Sequence, residues 1–247
     1  MRLLAKARGL ITDILSIWKL PSLTINLMYN QGLGNDPFYS TLVKQFYIDA
    51  CSRHPKYLLI RKFTRGVAVC PLPPTFDIYF ADIEASARRN YKKAVRNGYS
   101  FSRIEHDEHL DDITAIRQSA RERQGEMGSD FLTERAHAVN NPRSNTPYHD
   151  YPYFGIQRDG VLRAYAGCFV AGQICMLEQI LGHASFQSDG IVPMLIISIA
   201  DYMLKNHPAV RYFSYGTFFG ARETMRRFKT KLGFVPHHVT WVLCDTP

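Results

Sequence analysis

The chain has 247 residues, 46% of them hydrophobic and 13% aromatic, and it carries 30 Lys and Arg against 22 Asp and Glu, a formal charge of +8. This composition excludes an intrinsically disordered chain and supplies enough apolar surface for one large domain. The positive charge favours phosphate-bearing partners, namely a cofactor, RNA or an anionic membrane face, without choosing among them.

Cysteine and histidine usage argues against disulfides and metals. The five cysteines are odd in number and scattered, with no C-x-x-C pair, so they suggest neither a disulfide framework nor a zinc site. The nine histidines contain no H-E-x-x-H motif, and the adjacent His237 and His238 would point to opposite faces of a strand. We therefore expect no metal cofactor, and a cytoplasmic chain in a reducing compartment.

The N-terminal segment predicts an amphipathic helix that ends at Pro21. This helix would dock on the protein's own core, on a partner or at a membrane interface. Asp13 interrupts the apolar segment, and no run of about 18 uncharged apolar residues exists, so neither a signal peptide nor a membrane span is expected. The apolar residues at helical spacing are Leu3, Leu4, Ala7, Leu10, Ile11, Ile14, Leu15 and Trp18.

Short elements alternate through the next part of the chain. The Pro71-Leu-Pro-Pro74 segment forces an extended linker, and we place a boundary there between an N-terminal partial subdomain, 1–74, and a larger domain, 75–247. The predicted elements around this linker are a helix at 37–52, two short strands within 57–70, a strand at 76–80 and a helix at 83–97 closed by Gly98.

The helix at 83–97 carries five cations with almost no balancing carboxylate. Arg88, Lys92 and Arg96 are four residues apart and form one edge, with Arg89 and Lys93 beside it. Such an edge suits a polyanion, and the alternative is an ordinary solvated face. We assign Arg88, Lys92 and Lys93 to substrate binding.

The second half of the chain predicts a mixed, mostly antiparallel sheet flanked by helices, an α+β fold. Its elements, in order, are a strand at 99–104, helices at 110–123 and 132–140, strands at 153–158, 162–170 and 173–182, a helix at 192–205, a strand at 210–215, a short basic helix closed by Gly233 and a strand at 237–244.

The Gly-rich turn after the strand at 210–215 predicts an anion or thioester site. Gly216 and Gly220 let backbone N–H groups approach a ligand, and a helix with fixed positive charge follows them. Arg226, Phe228 and Lys229 belong to that helix, and we assign them with Gly216 to donor binding.

The order of elements from Tyr99 to Cys244 resembles the GNAT acyltransferase fold. Two motifs are more specifically similar to the branch that includes the Fem-type peptidoglycan aminoacyltransferases. One is the Arg-rich segment 88–98, which ends in glycine, and the other is Gly216 followed by Phe228-Lys229-x-x-x-Gly233. The resemblance implies an N-acyltransferase. Fem enzymes carry two such domains, and 1–74 is too short for a second whole one.

One loop departs from the GNAT pattern. In that pattern a loop with the motif Gln/Arg-x-x-Gly-x-Gly/Ala binds the donor's pyrophosphate through its backbone N–H groups. The chain keeps Gln187 and Gly190, which we assign to donor binding, but Val192 replaces the last small residue and Pro193 removes an N–H donor. The altered loop therefore favours a donor other than acetyl-CoA, such as an aminoacyl-tRNA or an acyl carrier.

Direct acyl transfer needs a base for the attacking amine and an acid for the leaving group. The resemblance implies that Glu178, in the strand before the 183–190 loop, is the base, and the alternative is a cross-strand partner for Arg163. Tyr215, with Tyr212 near it, lies at the end of the next strand, where the resemblance places the acid. Packing is the other role open to both tyrosines.

Three functions follow from these residues. The first is an N-acyltransferase that moves an acyl group from acyl-CoA or another thioester donor to a primary amine, on a small molecule or a lipid. The second is a Fem-like aminoacyltransferase that uses charged tRNA. The third is a degenerate GNAT domain that only binds RNA or anionic lipid, in the cytoplasm or at the membrane periphery.

Overall fold

A computed structural model describes residues 19–31, 36–54, 61–122 and 128–244. The amphipathic helix predicted before Pro21 lies outside these residues, as does the beginning of the segment predicted at 57–70. None of the helices in the described ranges is both long and apolar enough to cross a bilayer.

One twisted sheet organises the described part of the chain. Its strand order is β1-β9-β2-β8-β7-β6-β5-β3, and β4 pairs with β6 beside this path. The pairs β1–β9 and β7–β8 are parallel, and the other pairs are antiparallel. The strands are β1 Ser22–Asn26, β2 Arg65–Pro71, β3 Ser100–Ile104, β4 His149–Asp150, β5 Tyr153–Arg158, β6 Val161–Ala171, β7 Ile174–Gly182, β8 Tyr212–Thr217 and β9 Val235–Val242.

The predicted α+β fold with a mixed, mostly antiparallel sheet is confirmed. Strands β1 and β2 come from 1–74, yet they pair with strands of 75–247, and β2 lies between β8 and β9. One sheet therefore contains strands from both sides of residue 74. The domain boundary at that residue stays a prediction.

Helices cover both faces of the sheet. Alternate residues of β6 point to opposite faces, so Ala166 packs with α3 and α6, whereas Phe169 packs with α1 and Tyr165 packs with α4. The helices are α1 Pro37–Cys51, α2 Phe76–Asp82, α3 Ala85–Arg96, α4 Leu110–Gln118, α5 Ser129–Thr133, α6 Ile191–Asn206 and α7 Glu223–Lys231.

The strand predicted at 76–80 is wrong, because this segment forms α2. The Thr75 side chain accepts a hydrogen bond from the backbone N–H of Ile78 at 3.4 Å, and Asp77 lies in the first turn. An N-cap hydroxyl and an early acidic residue both stabilise a helix start. Local capping therefore overrides the aromatic and β-branched composition that suggested a strand.

The helix predicted at 132–140 is also wrong. Helix α5 ends at Thr133, and Glu134 already has extended backbone angles. Beyond it, the backbone N–H of Ala136 donates to the Thr114 hydroxyl at 2.8 Å, and that of Val139 donates to the Asp107 carboxylate at 3.0 Å. Side chains from neighbouring elements take the donors that a helix would need, so the chain runs extended.

Helices α3 and α6 pack closely where α6 begins. A Cβ atom on Gly190 would lie 2.4 Å from the carbonyl oxygen of Asn90 in α3, and Gly190 has a φ of +84°. Both the approach of α3 and the left-handed backbone therefore require glycine at this position.

Replacing Gly190 by alanine should lower the free energy of unfolding by about 3 kcal/mol or more, since the new methyl group adds a backbone clash to the strain of a positive φ. Gly98→Ala is the matched control, because Gly98 has a φ of +79° and open space around it. It should lose only about 1 kcal/mol. Urea denaturation measures both, and equal losses would contradict the close α3–α6 contact.

Candidate functional site

Strands β7 and β8 pair over a short stretch and then part. Their parallel register joins Ile174–Met176 to Tyr212–Ser214. Beyond these pairs β7 continues along β6 to Gly182, whereas β8 continues along β2 to Thr217. The two strands therefore stop sharing hydrogen bonds at one point and diverge beyond it. We call the region between the diverging strands the cleft. The 16-residue helix α6 is the crossover that connects them.

A β-bulge places Glu178 at this opening. Gly167 of β6 pairs with Gln179, and the next β6 residue, Cys168, pairs with Leu177. Glu178 is therefore the extra residue of β7, and a bulge of this kind turns a side chain away from its regular alternation. Glu178 is also the second residue of β7 beyond the last β7–β8 pair, Met176 with Ser214.

The environment of Glu178 favours its protonated form more than water does. Burial raises the pKa of this carboxyl, while a hydrogen bond from Tyr151 opposes the shift. The Tyr151 hydroxyl donates to Glu178 Oε2 at 2.7 Å. The side chain keeps accessible surface, but the surrounding protein removes part of its hydration.

The pairing of Glu178 with Arg163, predicted as its alternative role, is wrong. Arg163 lies near the opposite end of the hairpin, where its backbone carbonyl accepts from His183 N–H at 2.8 Å. Its guanidinium stacks on the ring of Phe186, 4.5 Å from the centroid.

A buried lysine contacts the end of β8. Lys229 of α7 is 4% exposed, and its Nζ donates to the carbonyl oxygen of Thr217 at 2.7 Å. The same Nζ is 4.7 Å from the centroid of the Tyr215 ring, a cation–π contact. Among the described residues no carboxylate forms an ion pair with it, and burial lowers the pKa of Lys229 to about 8.

The remaining residues of the predicted donor site surround this lysine. Gly216 has a φ of +59°, and a Cβ atom there would lie 3.9 Å from Lys229 Nζ. Arg226 Nε donates to the carbonyl oxygen of Ala221 at 3.0 Å and so fixes the turn before α7. Phe228 is half-buried and packs against the core beneath α6. Tyr215 and Gly216 thus lie next to Lys229, and Arg226 holds the turn that leads into α7.

Gln187 and Gly190 lie apart from that edge. Gln187 belongs to a short 3-10 helix, Ala184–Asp189, that leads into α6. Beside it, the Asp189 carboxylate accepts from the Tyr99 hydroxyl at 2.7 Å. Because packing against α3 alone accounts for Gly190, this glycine gives no independent indication of a phosphate loop. The Asp189 carboxylate at this helix start is paired with Lys93 at 4.0 Å and Arg158 at 3.9 Å.

The basic helix α3 uses two of its predicted substrate-binding cations within the protein. Arg88 Nη1 donates to backbone carbonyls at the end of α2, including that of Ile83 at 2.8 Å. Lys93 Nζ donates to the carbonyl oxygen of Ser188 at 2.8 Å. Lys92 is exposed, together with Arg89 and Arg96 on the same outward side of the helix. We call these three residues the outer face of α3.

Tyr151 is the site residue that the sequence did not reveal. It lies between the helix predicted at 132–140 and the strand predicted at 153–158, and its partner Glu178 is 27 residues away. No spacing rule connects them, because the contact depends on the bulge in β7.

The chain is similar to several solved structures. FemX aligns with a TM-score of 0.54 at 8% identity, over 70% of this chain and 59% of that one. The C-terminal domain of a putative lysylphosphatidylglycerol synthetase from Agrobacterium fabrum gives 0.44 at 15% identity, over 69% and 57%. A tandem GNAT protein from the clavulanic acid biosynthesis pathway gives 0.43 at 16% identity, over 69% and 50%.

The chain has the GNAT-like fold that its sequence predicted, and at this identity the likeness shows the fold alone. It spans 50% to 59% of the length of these three structures. No protein-family model and no curated protein matches the sequence. The described residues contain no group of three or more His, Cys, Asp and Glu side chains that could hold a metal ion.

The lowered pKa of Lys229 predicts a pH-dependent stability. Because the folded state holds this proton less tightly than the unfolded state, the free energy of unfolding should rise with pH between about 8 and 10.5. The contribution of Lys229 to that rise should be about 3 kcal/mol in total. Lys229→Met should abolish this contribution, as measured by urea denaturation across the pH range.

An exposed lysine of α1 provides the control for this measurement. Lys44→Met should leave the rise in stability with pH unchanged, since Lys44 is solvated in both states. If Lys229→Met also leaves the rise unchanged, the ammonium at this position is not buried as the structure describes.

Proposed function

We propose that this chain is an acyltransferase that moves an acyl group from an activated donor to a primary amine in the cleft between β7 and β8. The observation that carries the proposal is the pair of groups on the two sides of that cleft. Glu178 offers a carboxylate on β7, and Lys229 offers an ammonium beneath the end of β8. The GNAT-like fold supports the same location.

Glu178 acts as the general base in this proposal. The amine nitrogen attacks the donor's carbonyl carbon, and the proton that it must lose passes to the carboxylate. Burial raises the pKa of Glu178 and so makes it a stronger base than an exposed carboxylate. The new C–N bond forms as the C–S bond of a thioester, or the C–O bond of an ester, breaks.

The opposite edge of the cleft serves the donor. The Lys229 ammonium, with Arg226 next to it along α7, is positioned to bind the donor's anionic part, and its charge also stabilises negative charge that develops on the carbonyl oxygen. Tyr215 lies against that ammonium and returns a proton to the leaving group. We place the donor's anionic part here rather than at Gln187 and Gly190, because α3 and Asp189 occupy the surroundings of Gly190.

The outer face of α3 supports a second candidate, in which the donor is an aminoacyl-tRNA. Arg89, Lys92 and Arg96 are exposed on one side of a helix and suit an extended polyanion. A thioester of coenzyme A or of a carrier protein remains the first candidate, with an amine on a small molecule or a lipid as acceptor.

Glu178→Gln should lower turnover by about two to four powers of ten while donor affinity stays near normal, because glutamine keeps the shape of the side chain but cannot take the amine's proton. Purified protein would be assayed with acyl-CoA, acyl-carrier and aminoacyl-tRNA donors against a panel of amines. Glu108→Gln, which changes an exposed carboxylate in another element, is the control. Turnover in Glu178→Gln equal to that of Glu108→Gln would remove Glu178 from the mechanism.

Charge reversal on α3 separates the two donor classes. Changing Arg89, Lys92 and Arg96 together to glutamate should weaken tRNA binding by about 10- to 100-fold at low salt if the donor is an aminoacyl-tRNA. Fluorescence anisotropy with labelled tRNA measures this loss, and liposomes with anionic lipid test the membrane alternative. Reversal of Lys44, Arg53 and Lys62, three exposed cations in or near α1, is the charge-matched control. Equal losses in both variants would mean that only net charge matters.

A further inference from the structure

The Glu178 carboxylate has its two oxygens in different environments. Oε2 accepts the hydroxyl hydrogen of Tyr151 at 2.7 Å. Oε1 receives no hydrogen bond from the described residues, and the side chain keeps accessible surface at the cleft. One oxygen is therefore held by the protein, and the other is available to a ligand.

The absence of a side chain at Gly167 makes room for the Tyr151 ring. A Cβ atom on Gly167 would lie 3.2 Å from Cε1 of Tyr151 and 2.9 Å from Cε1 of Tyr153. The two rings pack with their centroids 5.6 Å apart. Gly167 is also the residue that pairs with Gln179 at the bulge, so one position in β6 accommodates both the bulge in β7 and the tyrosine that reaches it.

Within the described ranges, two other titratable groups interact electrostatically with Glu178 from neighbouring strands. They are Tyr153 of β5 and Cys168 of β6, and burial raises the pKa of both above the ordinary range of their side chains. Both are uncharged near neutral pH. The Tyr151 hydroxyl is thus the neighbouring group that distinguishes one oxygen of the carboxylate from the other.

We propose that Tyr151 is a positioning residue for Glu178, because its hydroxyl holds Oε2 and presents Oε1 to the acceptor amine. This inference rests on the acyl transfer proposed above. During the reaction Oε1 takes the proton that the amine loses, while Tyr151 keeps its own proton and continues to donate the hydrogen bond. Burial and the adjacent Glu178 charge raise the pKa of Tyr151, which keeps that hydroxyl protonated.

Tyr151→Phe tests the hydrogen bond while keeping the ring. The variant loses the hydrogen bond that lowers the pKa of Glu178, so this pKa should rise. The acidic limb of the pH–rate profile should therefore move up by about one pH unit. Turnover on the plateau should fall about tenfold because the carboxylate is no longer oriented. The KM for the donor should stay unchanged.

Carbon-13 NMR of the labelled glutamate carboxyl gives a readout that does not need turnover. The Glu178 signal, assigned by its absence in Glu178→Gln, should titrate at higher pH in Tyr151→Phe than in the wild type. Gly167→Ala keeps the hydroxyl but displaces the ring, and it should shift the same signal in the same direction. Tyr153→Phe removes a neighbouring hydroxyl that does not bond to Glu178, and it should cause no shift.

Different results would contradict the positioning role of Tyr151 and the proposed acyl transfer. If the wild type transfers acyl groups but Tyr151→Phe leaves both the pH profile and the NMR titration unchanged, the positioning role is wrong. If the NMR titration shifts as expected but no donor and amine react, the contact is real and the proposed activity is wrong.

Discussion

The structure depends on the point at which β7 and β8 stop sharing hydrogen bonds. Parallel strands normally continue their ladder, so a break needs something to hold each strand elsewhere. Strand β6 holds β7 as far as Gly182, and β2 holds β8, pairing Val67 with Thr217 beyond the last β7–β8 pair. The N-terminal segment therefore contributes directly to the cleft, because β2 is the strand that keeps β8 away from β7.

Two ionisable groups of opposite charge are partly dehydrated near the diverging strands, one on β7 and one against the end of β8. Burial raises the pKa of Glu178 and lowers the pKa of Lys229. Both shifts bring the pKa closer to neutral pH, because removal of water disfavours the charged form of a carboxyl and of an amine alike. A cleft with such groups on its two sides is suited to moving a proton and to stabilising charge that develops only during a reaction.

Much of the fold could be predicted from the sequence, because it depends on local patterns. Composition and spacing predicted the consecutive strands at 153–158, 162–170 and 173–182, the helix at 192–205 and the turn at Gly216. Helix α2 was missed because a single Thr75 cap outweighed its strand-like residues. The helix predicted at 132–140 does not form, because the Thr114 and Asp107 side chains accept the backbone N–H groups of Ala136 and Val139.

The site was harder to predict, since it depends on contacts between distant residues. Charge counting could not show that Arg88 and Lys93 bind backbone carbonyls of the protein itself, which leaves Lys92 with Arg89 and Arg96 outside. Nor could spacing reveal Tyr151, whose contact with Glu178 requires a bulge that the sequence does not mark.

The central claim is that the cleft between β7 and β8 holds the acyl donor, and a crystal structure with bound donor analogues tests it most directly. Two unreactive probes would be soaked, an acyl-CoA with a methylene group in place of the thioester sulfur and an aminoacyl-adenosine amide. The account predicts that whichever probe binds places its carbonyl group between Glu178 and Gly216. A probe bound along α3 or elsewhere on the surface, with its carbonyl outside this cleft, would contradict the account.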